Sequence, residues 1–136
     1  GTYREQRIVL NTLRFLSNRL QISLVCFGVN EAREAIGGDV QLARRFEQFT
    51  LSRWAANEQF ENLVASILRN TPLRRPSVLT AKSLRRMLQI TEGITANIFH
   101  MINVLAIEAV ESSREHITDE MVENWEPEFD AEAAFA

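Results

Sequence analysis

Little in this chain staples or punctuates it: 136 residues include one cysteine, three prolines and five glycines. A single cysteine, Cys26, excludes an internal disulfide and points to a reduced intracellular compartment. So few helix breakers leave room for long uninterrupted helices. Metal ligands are as scarce. The two histidines, His100 and His116, have no Cys-Cys or His-x3-His spacing beside them, so no metal site is expected. No apolar run is long enough for a membrane span, and the opening residues do not read as a signal peptide. No G-x-x-x-x-G-K-[ST] phosphate loop occurs, and Gly37-Gly38 has neither the lysine nor the long strand that such a loop needs.

What is present is ordinary in bulk and uneven in distribution. Hydrophobic residues make up 46% and charged residues 24%, a composition that supports a globular core. The net charge of −3 hides an asymmetry. Residues 1–86 hold fourteen basic and seven acidic side chains, whereas 87–136 hold Arg114 and eleven acids. All the basic side chains except Lys82 are arginine, which suits multidentate contacts to phosphate or carboxylate. Nucleic acid, nucleotide or a merely solvated face would each fit this pattern.

Along the chain, 4–19 reads as a helix with Val9, Leu13, Leu16 and Leu20 at helical spacing. The β-branched and aromatic run 22–27, closed by Gly28, predicts a buried strand, with Cys26 as a small buried hydrophobe within it. Residues 31–36 predict a brief helix stopped by Gly37-Gly38, Asp39 caps another through about Arg45, and 48–52 is a weak strand. The pattern then becomes all-helical across a boundary at 53–57. One helix starts near Asn57 with the stripe Phe60, Leu63, Val64, Ile67 and Leu68, and Pro72 and Pro76 bracket a loop. Thr80 caps a helix that Gly93 ends, with Leu79 and Leu84 as a hydrophobic staple. Ile94, Ile98, Met101, Ile102, Leu105 and Ala109 mark a central helix, in which His100 is expected to be packed or interfacial. His116 is expected to be exposed. Thr118 starts a last short helix, and the acidic, alanine-rich residues from 126 onward read as disordered.

The arginine pairs are the candidates for chemistry. Arg44-Arg45 ends a short helix, where cations also complement the helix dipole. Arg74-Arg75, confined between prolines, and Lys82, Arg85 and Arg86 on one helix face are nucleic-acid candidates. A helix-turn-helix reading of the last group fails, because the helix behind it is too apolar to enter a groove.

The order of features resembles the second half of an AAA+ ATPase, and the wording resembles the TniB/TnsC family of transposition ATPases. The matching stretches are Arg4 to Arg7, Leu10 to Arg14, Gly28 to Ala32, Gln41 to Phe46, Leu73 to Ser77 and Thr91 to Ile94. This resemblance implies a mostly α fold with a small β component. Residues 1–54 would be the C-terminal part of an AAA+ α/β core with two short strands, 55–125 a helical lid and 126–136 a tail. It implies that Arg45 is an arginine finger reaching the ATP of a neighbouring subunit, with Arg44 as second choice and Asn30, next to Val29, near the sensor-1 position. No sensor-2 arginine follows Gly93, where Ala96 and Asn97 stand instead. The expected full-length protein is a homo-oligomer in the bacterial cytoplasm. It would use ATP and Mg2+, assemble on target DNA, and recruit or activate a DDE-type transposase. This chain, resembling a piece that starts after both Walker motifs, is expected to bind no nucleotide and to be inactive alone. Two strands without their natural neighbour would leave edges open to self-association. A non-enzymatic helical interaction module and a sequence-independent DNA-binding domain are the alternatives.

Overall fold

In the computed structural model, which describes residues 2–127, seven helices form and none of the described residues is in a strand. The chain divides into two compact units, Gly1–Leu51 and a second beginning at Ser52.

The first unit holds α1 (Tyr3–Leu20), α2 (Asn30–Gly37) and α3 (Val40–Ala43). A reciprocal capping box starts α1: Thr2 accepts from the Glu5 N–H and Glu5 accepts from the Thr2 N–H, which satisfies two otherwise orphan donors. The buried face of α1 is not the expected one. Leu10 is buried and Leu13, Arg14 and Ser17 are half-buried, an i, i+3, i+4, i+7 set, while Val9, Leu16 and Leu20 are exposed. Asp39 caps α3 as expected, accepting from the N–H groups of Gln41 and Leu42 at 3.0 and 3.1 Å. Gly28 lies so close to α2 that a Cβ there would come within 2.7 Å of the Ala32 Cβ.

The two expected strands do not form, which corrects the small β component: the described residues are helix, turn and irregular chain. Residues 21–29 and 46–53 run without ladder partners. A strand is held by hydrogen bonds to a neighbour, and an isolated β-rich run has none to make. Burial fails with the ladder, since Phe27 is 92% and Leu51 97% exposed. Cys26 is exposed as well, not the buried hydrophobe that a strand interior would require.

The second unit closes a core of its own. It contains α4 (Glu58–Asn70), α5 (Ala81–Thr91), α6 (Thr95–Glu111) and α7 (Asp119–Asn124). Asn57, Thr80 and Thr118 cap α4, α5 and α7 through their side-chain oxygens. Phe60 and Val64 of α4, Met87 of α5 and Met121 and Val122 of α7 meet Ile98, Met101, Ile102, Leu105 and Ala109 of α6. Each large side chain removed from water there contributes about 1.5–3 kcal/mol. The staple residues Leu79 and Leu84 pack on the same cluster. Helix α6 is central but not enclosed: Phe99, Ile107 and Val110 are exposed. So is His100, which rules out the packed one of its two expected settings, packed or interfacial, while His116, expected to be exposed, is half-buried with its Nδ1 at 2.8 Å from the Arg114 carbonyl. Beyond Pro127, the expected disordered tail lies outside the described residues.

Two contacts tie the ends of this unit together. Trp54 donates its backbone N–H to the Gly93 carbonyl at 2.8 Å and its indole N–H to the Thr95 hydroxyl at 2.9 Å. Gly93 has φ of +68°, and a Cβ there would stand 2.3 Å from the Trp54 carbonyl oxygen, so only glycine fits. At the other contact Asp119 accepts from the Thr80 N–H at 2.9 Å, the Thr80 hydroxyl at 3.1 Å and the Ser83 hydroxyl. The Ser83 hydroxyl, then the Thr80 N–H, holds the Asp119 carboxyl below its usual range, against an opposing effect of partial burial.

Two outcomes follow for the second unit. Gly93→Ala combines the left-handed penalty of about 1–2 kcal/mol with a backbone overlap, so a drop in urea midpoint larger than that penalty alone is expected. The Asp119 bonds stabilise the fold fully above the ordinary carboxylate pKa of about 3.9, and their contribution is lost as pH falls below it through the depressed folded value. Asp119→Asn should therefore flatten the acid side of the stability–pH curve measured by denaturant titration; an unchanged acid limb would show that Asp119 is not linked to folding.

Candidate functional site

The Arg44-Arg45 pair follows directly from how α3 ends. After Ala43 the chain turns, with the Arg45 and Phe46 N–H groups both donating to the Leu42 carbonyl at 2.9 and 3.0 Å. Leu42 is fully buried, and it anchors the turn while Arg44 and Arg45 remain exposed. Two arginine-to-amide bonds then link α1 to α3 and the turn after it. Arg45 Nη1 donates to Asn18 Oδ1, and Arg14 Nη1 donates to Gln41 Oε1. Arg45 is thus an exposed cation held at one nitrogen by a neutral acceptor, which leaves its charge uncompensated.

Asn30 is the first residue of α2 and is exposed, with Val29 at the N-cap making no side-chain cap bond. Helices α2 and α3 pack on each other, so the unit that presents Arg45 also presents Asn30. Two other arginines of α1 serve local purposes. Arg7 lies 5.8 Å from the Tyr3 ring centroid and Arg19 lies 5.8 Å from that of Phe15, ordinary cation–π pairs one turn apart.

The nucleic-acid candidates all fall in the second unit. Arg74 and Arg75 are exposed on the loop between α4 and α5, and Lys82 and Arg85 are exposed on α5. Arg86 is half-buried, and its Nε is enclosed without a hydrogen-bond partner. The 71–79 loop is held by more than its prolines. Arg75 donates its N–H to the Glu115 carbonyl at 3.0 Å, and Ser77 accepts from the Ile117 N–H at 2.9 Å. The ion pair of Arg74 Nε with Glu115 Oε1 is long, at 4.0 Å, and the Arg74 side chain is 86% exposed. Such a pair contributes little, so the cation remains available to a partner. Among the described residues no cluster of three or more His, Cys, Asp or Glu side chains is placed to hold a metal ion, and no helix is long and apolar enough to cross a membrane.

These features define a helical protein with a short arginine-presenting unit and a separately packed helical unit. Residues 1–56 match the model of the family described as the bacterial TniB protein, so over this stretch the chain is TniB-like. The match includes Asn30, Arg44 and Arg45 and stops short of the second unit's helices. No curated protein and no solved structure matches the chain.

Asn18, Gln41 and Glu115 were missed as supporting residues, because pairs 27 or 40 positions apart leave no periodic signal. The anchoring role of Leu42 has a direct test. Leu42→Ala should cost about 2–5 kcal/mol locally and accelerate hydrogen exchange at the Arg45 and Phe46 amides. Protection equal to that of the unaltered chain would mean that the turn is held by something other than Leu42.

Proposed function

We propose that this chain is the C-terminal part of an ATP-dependent DNA-transposition regulator of the TniB type, and that Arg45 acts as a finger on the ATP of an adjacent subunit. The match of residues 1–56 to the TniB family carries this reading, because it takes in the turn that presents Arg45. Transposition-related activity is what the family suggests. The ATPase cycle, the homo-oligomer, the assembly on target DNA and the recruitment of a DDE-type transposase are parts of the proposal. In it the full-length protein would bind ATP together with Mg2+, and the metal ion would offset the charge of the triphosphate.

The chemistry asked of Arg45 is electrostatic. Phosphoryl transfer spreads charge over the γ-phosphate oxygens and the β–γ bridge, and a planar guanidinium meets two such oxygens at once. Holding Arg45 through Asn18 reduces the reorganisation needed when the phosphate arrives. Asn30 would orient the attacking water with its side-chain amide, and Arg44 would supply the cation if Arg45 proves structural. The exposed apolar side chains Ile22, Val25, Phe27, Val29, Phe49 and Leu51 suit a unit that packs against further chain in the intact protein.

One observation favours a second reading. The helical unit closes its core while Arg74, Arg75, Lys82 and Arg85 stay exposed, as a sequence-independent DNA-binding domain would require. That reading demands DNA binding at low salt with a steep decline as salt rises.

In the intact protein, Arg45→Ala should lower ATP turnover by about 10³–10⁵ while nucleotide binding persists, as read by steady-state hydrolysis beside a binding titration. Undiminished turnover would make Arg45 a helix-end residue, and turnover by the purified chain alone would overturn the mapping.

A further inference from the structure

A groove of about 450 Å³ lies between the C-terminal half of α4 and the 71–79 loop, within the size range of small-ligand pockets. Its apolar lining includes Val64, Leu68, Leu73 and Leu79, and Arg69, Arg74 and Arg75 carry its charge against the single acid Glu61. All three arginines are exposed. An occupant suited to this groove carries an aromatic or aliphatic anchor flanked by carboxylates.

The chain contains such a segment. From residue 126 it bears Glu126, Glu128, Asp130 and Glu132 with no basic side chain, and it includes Phe129 and Phe135. We propose that segment 128–136 docks in this groove of its own chain, its phenylalanines on the apolar lining and its carboxylates on Arg69, Arg74 and Arg75. The inference stands apart from the ATPase reading.

Reach favours the intramolecular arrangement. The described chain leaves the core just after Trp125, which belongs to the same cluster that Leu73 and Leu79 pack against. Helix α7 is tied at Asp119 to Thr80, one residue past Leu79. Nine extended residues span up to about 30 Å, well beyond the radius of gyration of roughly 11 Å expected for a unit of this size. Tethering also raises the effective concentration of the segment, to the millimolar range for short linkers. Arginine matches carboxylate pairs in a planar fork, and the weak Glu115 contact of Arg74 is readily exchanged for a better-placed acid.

The test uses the full chain with Cys26→Ser and Ala133→Cys, spin-labelled at the new thiol, and reads paramagnetic loss of amide signals. Loss concentrated on residues 65–79 is expected. It should disappear in Arg74→Glu/Arg75→Glu, weaken in Phe129→Ala/Phe135→Ala, and fade at about 1 M salt, where the screening length is about 3 Å. Because Arg74 and Arg75 are exposed, their replacement leaves the core intact, which a circular dichroism spectrum checks. Uniform loss, or none, overturns the proposal. Loss seen only between separately labelled copies would assign the groove to a neighbour's segment and overturn docking within one chain. Duplex DNA shifting the same groove amides while the spin-label effect is absent would assign the groove to phosphate and overturn it equally.

Discussion

The second unit depends on one seam of α6, where Ile98, Met101, Ile102, Leu105 and Ala109 are all fully withdrawn from water. Helices α4 and α5 pack directly on α6, and α7 reaches the same cluster through Met121 and Val122 while packing on α5. Apolar burial of this kind is non-directional, so it holds the helices together without specifying their ends. Polar contacts do that. The Trp54–Gly93 approach fixes where α5 stops and α6 begins, and the Asp119 carboxylate joins the start of α5 to the start of α7.

The first unit is built on a different balance. Leu10 and Leu42 are its buried hydrophobic side chains among the described residues, while Val25, Phe27 and Val29 before α2 and Phe49 and Leu51 after α3 stay in water. Its order comes from caps and side-chain bonds: the Thr2–Glu5 box, the Asp39 cap, and the bonds that Arg14 donates to Gln41 and Arg45 donates to Asn18. A unit so poor in buried surface has little to offset chain entropy. It is also the part that carries the TniB-family match and the exposed Arg45. The proposed role of Arg45 therefore rests on a unit that buries little of its own surface.

Charge is arranged differently in the two units. In the first, Arg45 is isolated and oriented by a neutral acceptor, which suits a cation that must meet phosphate. In the second, the arginines surround an apolar groove, which suits an acidic segment with a hydrophobic anchor. The excess of acid after residue 86 supplies such a segment within the same chain.

The helices were legible because their signals are local: Asn57, Thr80 and Thr118 cap helices within three residues of themselves, and the stripe Phe60 to Leu68 repeats at the helical period. The family resemblance was legible for the same reason, in short contiguous wording. The strands were not, because the run 22–27 has strand-like residues but a strand exists only through a partner, and tertiary structure provides none here. The same non-locality hid the buried face of α1, the exposure of Cys26 and His100, and the bonds that Arg45 donates to Asn18 and Ser83 donates to Asp119. Composition and periodicity by themselves determined which residues could form helices and where cations would gather. Only the packed structure decided which faces left water and which arginines were held, because burial and side-chain hydrogen bonds depend on neighbours far away in the chain.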